Sequence, residues 1–282
     1  MSLARLISPK ALLARQQQPN LVIIDCRFAL DQPLYGQDSY QVNHIPGAVF
    51  LDLEQDLSGP IRPGITGRHP LPDPQQLQAK LRACGLNQDS EVVLYDDGPG
   101  AFAAHAWWLL LWLGKSQGVY LLDGGLQAWK AAQLPLSSQI PTSCSGDFQA
   151  QANPALTLDM NAIRAQHDQL ILLDARALPR FRGEVEPIDP VAGHIPGAHC
   201  VPFNENLGAD GCFLPPEQLK QRFAPFIEGK NTEHVVAYCG SGVTACHNLF
   251  ALCLAGYPLI KLYPGSWSEW ITQPNNPIAT GC

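Results

Sequence analysis

The sequence predicts an α/β fold used twice in tandem, each copy a parallel sheet flanked by helices. Two observations carry this. One is an internal repeat: His44-Ile-Pro-Gly-Ala48 recurs as His194-Ile-Pro-Gly-Ala198, 150 residues on. The other is alternation. Short β-branched runs such as Val22-Ile-Ile and Val235-Val are separated by helical patterns, with Leu77/Leu81 and Leu219/Phe223 at i, i+4 and Cys246/Leu249/Phe250/Cys253/Leu254 along one stripe. Strands that alternate with helices form parallel sheets covered on both faces.

The elements of the two halves correspond in order. Val22-Ile-Ile-Asp-Cys-Arg27 matches Ile171-Leu-Leu-Asp-Ala-Arg176, and Pro74-Gln-Gln-Leu matches Pro216-Glu-Gln-Leu. Val92-Val-Leu-Tyr-Asp96 matches Val235-Val-Ala-Tyr-Cys239, and Gly124 with Trp129 matches Gly265 with Trp270. A stretch rich in Ser, Gln, Asn and Pro separates them, so the expected domains are 1–138 and 155–282, joined by a linker at 139–154. The apolar stretch Ala101 to Leu113, interrupted by His105, is too short to cross a bilayer and is expected to be a buried helix.

Composition excludes several classes. A net charge of −7 with 18 Lys and Arg gives no nucleic-acid surface, and no membrane span is expected. The first ten residues carry no sustained apolar run after a basic region and do not read as a secretory signal. Nine scattered cysteines without a Cys-x-x-Cys pair fit neither disulfides nor a metal site. Free thiols in a reducing cytoplasm, with no metal and no cofactor, are the expectation.

One thiol stands apart. Cys239 lies at the carboxyl end of a strand and opens Cys239-Gly-Ser-Gly-Val-Thr-Ala245, with Thr244 expected in the first turn of the next helix. In open parallel sheets ligands bind at that end. Gly240 and Gly242 let a tight turn aim N–H groups at the sulfur, and with the helix dipole they favour thiolate over thiol and would hold a persulfide anion. The matching residue of the first half is Asp96, which cannot carry sulfur, so the chemistry is expected in the second half alone.

These motifs together resemble the two-domain rhodanese superfamily of sulfurtransferases, nearest its 3-mercaptopyruvate branch, over nearly the whole chain. The resemblance implies an inactive first domain, a catalytic second one, and a Cys239 persulfide formed from a small-molecule donor and passed to a thiol or cyanide acceptor. A reducing protein thiol is a further candidate partner. It implies that Arg180 binds the donor's anionic group beside Gly240, Gly242, Val243 and Thr244, and that Ser241, His44 and Asp38 form a proton relay. Arg182 is read as a solvated neighbour of Arg180, and His247 as a buried helix histidine one turn or so after Cys239. Arg27, Arg176, Trp129 and Trp270 recur in both halves and are read as packing and ion pairing, and His194 as a turn residue.

The family pattern is incomplete. No second arginine follows Arg180, since the chain runs Gly183-Glu-Val-Glu-Pro-Ile-Asp-Pro190, so carboxylate recognition is expected to rest on Arg180 and loop N–H groups. No basic residue stands in the loop, as thiosulfate enzymes of the family carry. 3-Mercaptopyruvate is the favoured donor, with thiosulfate and a sulfur-relay module acting on a protein partner as alternatives. A phosphatase would need an arginine closing the loop, and Ala245 stands there.

Overall fold

In this computed structural model residues 3–142 and 144–281 are described; Met1 and Ser2 of the segment read for a signal, Ser143 of the expected linker, and Cys282 lie outside them. The chain separates into two units that exchange short segments. Unit 1 holds the chain up to Gly59, Pro72–Asn153 and Gly208–Phe213, and unit 2 holds Pro60–Leu71, Pro154–Leu207 and Leu214 onward. The division therefore departs from a single cut. The expected linker is packed into unit 1, with Phe148 fully buried, Gly146 N donating to Arg82 O at 2.8 Å and Gln151 N to Leu113 O at 2.9 Å.

Unit 1 contains β1 (Leu6–Ile7), α1 (Pro9–Leu13), β2 (Leu21–Asp25), α2 (Tyr35–Val42), β3 (Ala48–Phe50), α3 (Pro74–Ala83), β4 (Glu91–Tyr95), α4 (Ala101–Trp112), β5 (Val119–Leu122) and α5 (Gly125–Ala131). Its sheet is parallel throughout, in the order β1-β5-β4-β2-β3. One core packs Ile23, Val93, Tyr95 and Trp129 together. The apolar stretch is α4, buried on nearly every residue as expected, and no helix among the described residues is long and apolar enough to cross a membrane.

Unit 2 contains α6 (Met160–Gln166), β6 (Ile171–Asp174), α7 (Leu178–Phe181), β7 (His199–Cys200), α8 (Pro216–Ile227), β8 (Val235–Tyr238), α9 (Val243–Leu254), β9 (Lys261–Leu262) and α10 (Ser266–Trp270). Its parallel sheet runs β7-β6-β8-β9, over a core of Leu172, Val236, Tyr238, Tyr263, Trp267 and Trp270.

Residues that recur in both halves are structural. Arg27 and Asp25 form a buried bidentate pair, as do Arg176 and Asp174. Burial works against the Arg176 charge, but Asp174 outweighs it and raises the pKa. The indole N–H groups of Trp129 and Trp270 donate to Pro135 O and Pro277 O at 2.8 and 2.9 Å. Each pair fastens a strand end or helix to its flanking loop in the same way.

Candidate active site

Cys239 follows the last residue of β8, and the turn Gly240-Ser241-Gly242 leads directly into α9, whose first residues are Val243 and Thr244. Gly242 has φ 84°, and a methyl group there would lie 2.5 Å from Pro264 O, so the turn accepts only glycine. The loop is held from behind. Trp267 N donates to Cys239 O at 3.0 Å and Ser268 N to Gly240 O at 2.9 Å, while Ser266 Oγ accepts from Cys239 N at 3.0 Å. Ser266 takes φ 54°, unusual for a residue with a side chain, and its hydroxyl also donates to Tyr263 O at 2.9 Å. Cys239 is 2% exposed on this rigid support.

The twin turn in unit 1 shows what such a turn binds. There the Asp96 carboxylate accepts N–H groups from Gly98, Gly100, Phe102 and Ala103 at 3.1, 2.9, 3.0 and 3.3 Å. Burial nevertheless pushes the Asp96 carboxyl up, against the pull of those four donors. A carboxyl group therefore fills a strand-to-helix turn of this kind at the position that Cys239 takes in the other half.

A segment with no regular structure, Pro60–Leu71, brings two further groups into unit 2. A methyl group at Gly67 would meet Gly265 O at 2.5 Å and Ser268 Oγ at 2.7 Å, so only glycine allows this close approach. Arg68 N donates to Ser268 Oγ at 3.1 Å. One residue on, His69 Nδ1 lies 2.7 Å from Ser241 Oγ, and both side chains are buried.

This corrects the relay expected at His44 and Asp38. His44 is buried in unit 1 with Nδ1 2.7 Å from Tyr40 O and Nε2 3.1 Å from Gln139 O, and its ring stacks on Tyr40. His194 repeats the arrangement, with Nδ1 2.7 Å from Phe181 O and the ring stacked on Phe181. Both are turn residues. Asp38 is exposed in the first turn of α2 and is not among the partners of the His44 ring.

Arg180, on α7, is held by carboxylates. Its Nε and Nη2 bond Glu186 at 2.8 to 3.2 Å, and Nη2 also bonds Asp189 Oδ2 at 3.1 Å. Asp189 ion-pairs with Arg68 as well. A methyl group on Gly240 would lie 2.8 Å from Arg68 Nη2 and 3.6 and 3.7 Å from the terminal nitrogens of Arg180, so both guanidinium groups stand over the residue after Cys239. Burial is the main influence on Arg68 and lowers its pKa; the nearby Cys239 opposes this and Arg180 adds to it. Arg182 pairs instead with Glu184 at 3.8 Å, and His247 is buried in α9 beside Asn206 and Phe203.

The structure thus gathers Cys239, Gly240, Ser241, Gly242 and Arg180, and the imidazole it places beside Ser241 is that of His69, not of His44. It also places a second guanidinium, that of Arg68, close to Gly240. Reading by periodicity passes over both, since 60–71 forms neither strand nor helix. One signal was available: His44 and Arg27 have twins, while no correspondence between the halves includes Arg68 and His69.

Comparison with known proteins follows the same lines. The rhodanese-like domain family matches twice, over residues 8–132 and 159–273. A Pseudomonas aeruginosa protein named probable 3-mercaptopyruvate sulfurtransferase is 65% identical across 100% of both chains. The Arabidopsis thaliana mitochondrial thiosulfate/3-mercaptopyruvate sulfurtransferase 1 is 34% identical over 96% of this chain and 77% of its own. The crystal structure of the Escherichia coli 3-mercaptopyruvate sulfurtransferase SseA superposes with a TM-score of 0.80 at 33% identity, covering 94% of this chain and 100% of that one.

Proposed function

The chain belongs to the rhodanese family of sulfurtransferases, and from that premise we propose that it moves sulfur from 3-mercaptopyruvate through a Cys239 persulfide to a thiol or cyanide. The observation that carries the choice of donor is the hydrogen bond between His69 and Ser241, two residues from the reacting thiol. Mercaptopyruvate delivers a thiol proton with its sulfur and releases a carbanion equivalent that must be protonated. Thiosulfate brings no proton and releases sulfite. A buried Ser–His pair serves the first donor and is idle for the second.

In the first half-reaction the Cys239 thiolate attacks the donor sulfur and the carbon–sulfur bond breaks. Its electron pair passes into the pyruvate enolate, leaving Cys239 as S–S–H. Ser241, hydrogen-bonded to His69, is suited to steer that proton toward the enolate carbon, giving pyruvate and the persulfide anion. In the second half-reaction cyanide or a thiolate attacks the outer sulfur. The S–S bond breaks, its electrons return to Cys239, and thiocyanate or a new persulfide leaves. No outside oxidant is consumed.

A reducing cytoplasm, which keeps both acceptor thiols and Cys239 reduced, suits this cycle, and a protein thiol can stand in for the small acceptor. The double name of the Arabidopsis relative supports thiosulfate as a second donor. Pyruvate release measured with 3-mercaptopyruvate and cyanide tests the reading. Stoichiometric pyruvate and thiocyanate, both lost in Cys239→Ser, are expected; thiocyanate formed only from thiosulfate would reject the donor.

A further inference from the structure

The cations over Gly240, Arg68 and Arg180, belong to a cluster in which acids match them in number. Arg68, Arg176 and Arg180 are matched by Asp174, Glu186 and Asp189, three guanidinium groups against three carboxylates. The acids are not rim groups. The Glu186 and Asp189 side chains are 4% and 3% exposed, against 18% for Arg180 and 23% for Arg68, so the acids lie beneath and the cations face outward. Their placement is built into the backbone, because Ile188 N and Asp189 N both donate to Glu186 Oε1 at 3.1 Å and wrap the turn around that carboxylate.

Asp189 is the centre of this cluster, with one oxygen on Arg68 Nη1 and the other 3.1 Å from Arg180 Nη2. It therefore does two things. It fixes two arginines from distant parts of the chain over the same residue, Gly240, and it cancels part of their charge. Among buried polar atoms, Arg68 Nε has no hydrogen-bond partner within the protein.

We propose that Arg68 and Arg180 clasp the anionic end of the donor together, and that Asp189, ion-paired to both, sets the charge of this clasp so that it accepts a singly charged carboxylate and disfavours a dianion. The assignment rests on the sulfurtransferase reading above and deepens it. Arg68 is a donor-binding residue, filling the place left empty by the missing second arginine after Arg180. Asp189 is a positioning residue that determines specificity through those two. A dianion such as thiosulfate, entering beside the Cys239 thiolate, meets a cluster whose net charge is near zero, whereas one carboxylate is served by two forks with matched geometry.

Alkylation of Cys239 by iodoacetate and by iodoacetamide, followed by mass spectrometry of the Cys239 peptide, tests the clasp without using sulfur transfer. The reagents are close in shape and differ in one negative charge, so the ratio of their rates divides out changes in thiol reactivity. The iodoacetate-to-iodoacetamide ratio should fall roughly ten-fold in Arg68→Gln and rise roughly ten-fold in Asp189→Asn, as one charge is removed from opposite sides of the balance. In turnover, Asp189→Asn should raise kcat/KM for thiosulfate relative to 3-mercaptopyruvate, and Arg68→Gln should raise KM for 3-mercaptopyruvate more than it lowers kcat.

A ratio that falls in Asp189→Asn would overturn the charge-setting role, since a merely structural carboxylate gives that sign. An unchanged ratio in Arg68→Gln would remove Arg68 from the clasp. If either variant does not fold, the native protein still decides. Pyruvate should protect Cys239 from iodoacetamide better than sulfate at equal concentration and ionic strength, and equal or stronger protection by sulfate would overturn the proposal. Failure of the native protein to take sulfur from 3-mercaptopyruvate would reject the donor reading while leaving these alkylation results to stand by themselves.

Discussion

His69 Nδ1 and Ser241 Oγ lie 2.7 Å apart, joined across 172 positions of sequence within one folded unit. A relay that handles one proton per turnover should be costly to remove and should spare the donor that needs none. His69→Ala and Ser241→Ala are expected to lower kcat with 3-mercaptopyruvate by about 100-fold, with a much smaller loss for thiosulfate. His44→Ala, which removes a buried ring stacked on Tyr40 with Nδ1 2.7 Å from the Tyr40 carbonyl, should instead cost about 1–3 kcal/mol of stability while turnover per folded molecule is kept. Steady-state kinetics with both donors and urea unfolding separate the two outcomes.

The duplication explains what could be read from the chain and what could not. Parallel sheets, the register of the halves and the matched positions of Asp96 and Cys239 at strand ends all follow from residues in or next to regular elements, where periodicity and repetition act together. The sequence points to His44 and the geometry to His69 because the two histidines differ in context that only the fold supplies. His44 starts a motif that occurs twice, and duplication marks a structural role, as His194 makes plain. His69 lies in Gly67-Arg68-His69-Pro70, where no hydrophobic pattern shows which unit the segment joins. Its course into unit 2 depends on close approach at Gly67, a steric fact of two distant backbones.

Asp96 should matter for folding and not for chemistry. Replacing it with Ala removes the acceptor of four N–H groups in a buried turn, which is expected to destabilise the protein by about 2–3 kcal/mol. The catalytic constants of the folded fraction should stay as they are. A loss of kcat without a loss of stability would mean that this turn takes part in the reaction.

The other thiols give a pH test. Burial pushes Cys84 and Cys212 up to about 11, and Cys200 and Cys253 up to about 12, from an ordinary value of 9.0. Burial, with nearby negative charge, also raises Cys26 and Cys246. A raised thiol keeps its proton in the folded state, so its stabilising contribution is complete below pH 9.0 and is lost as pH rises through the folded value. Unfolding free energy should therefore decline from about pH 9 toward pH 12. At pH 8 only about one in a thousand of the Cys84 thiols is ionised, so iodoacetamide should label Cys239 and the exposed Cys144 well before the six raised thiols. Early labelling of Cys84 or Cys212 would contradict the burial that sets these values.

The most direct test is the intact mass of the protein after separate incubation with 3-mercaptopyruvate and thiosulfate, each followed by cyanide. One added sulfur atom on Cys239, gained faster from 3-mercaptopyruvate, removed by cyanide and absent in Cys239→Ser, is the result expected. An unchanged mass with both donors, or sulfur that still adds in Cys239→Ser, would contradict Cys239 as the sulfur carrier.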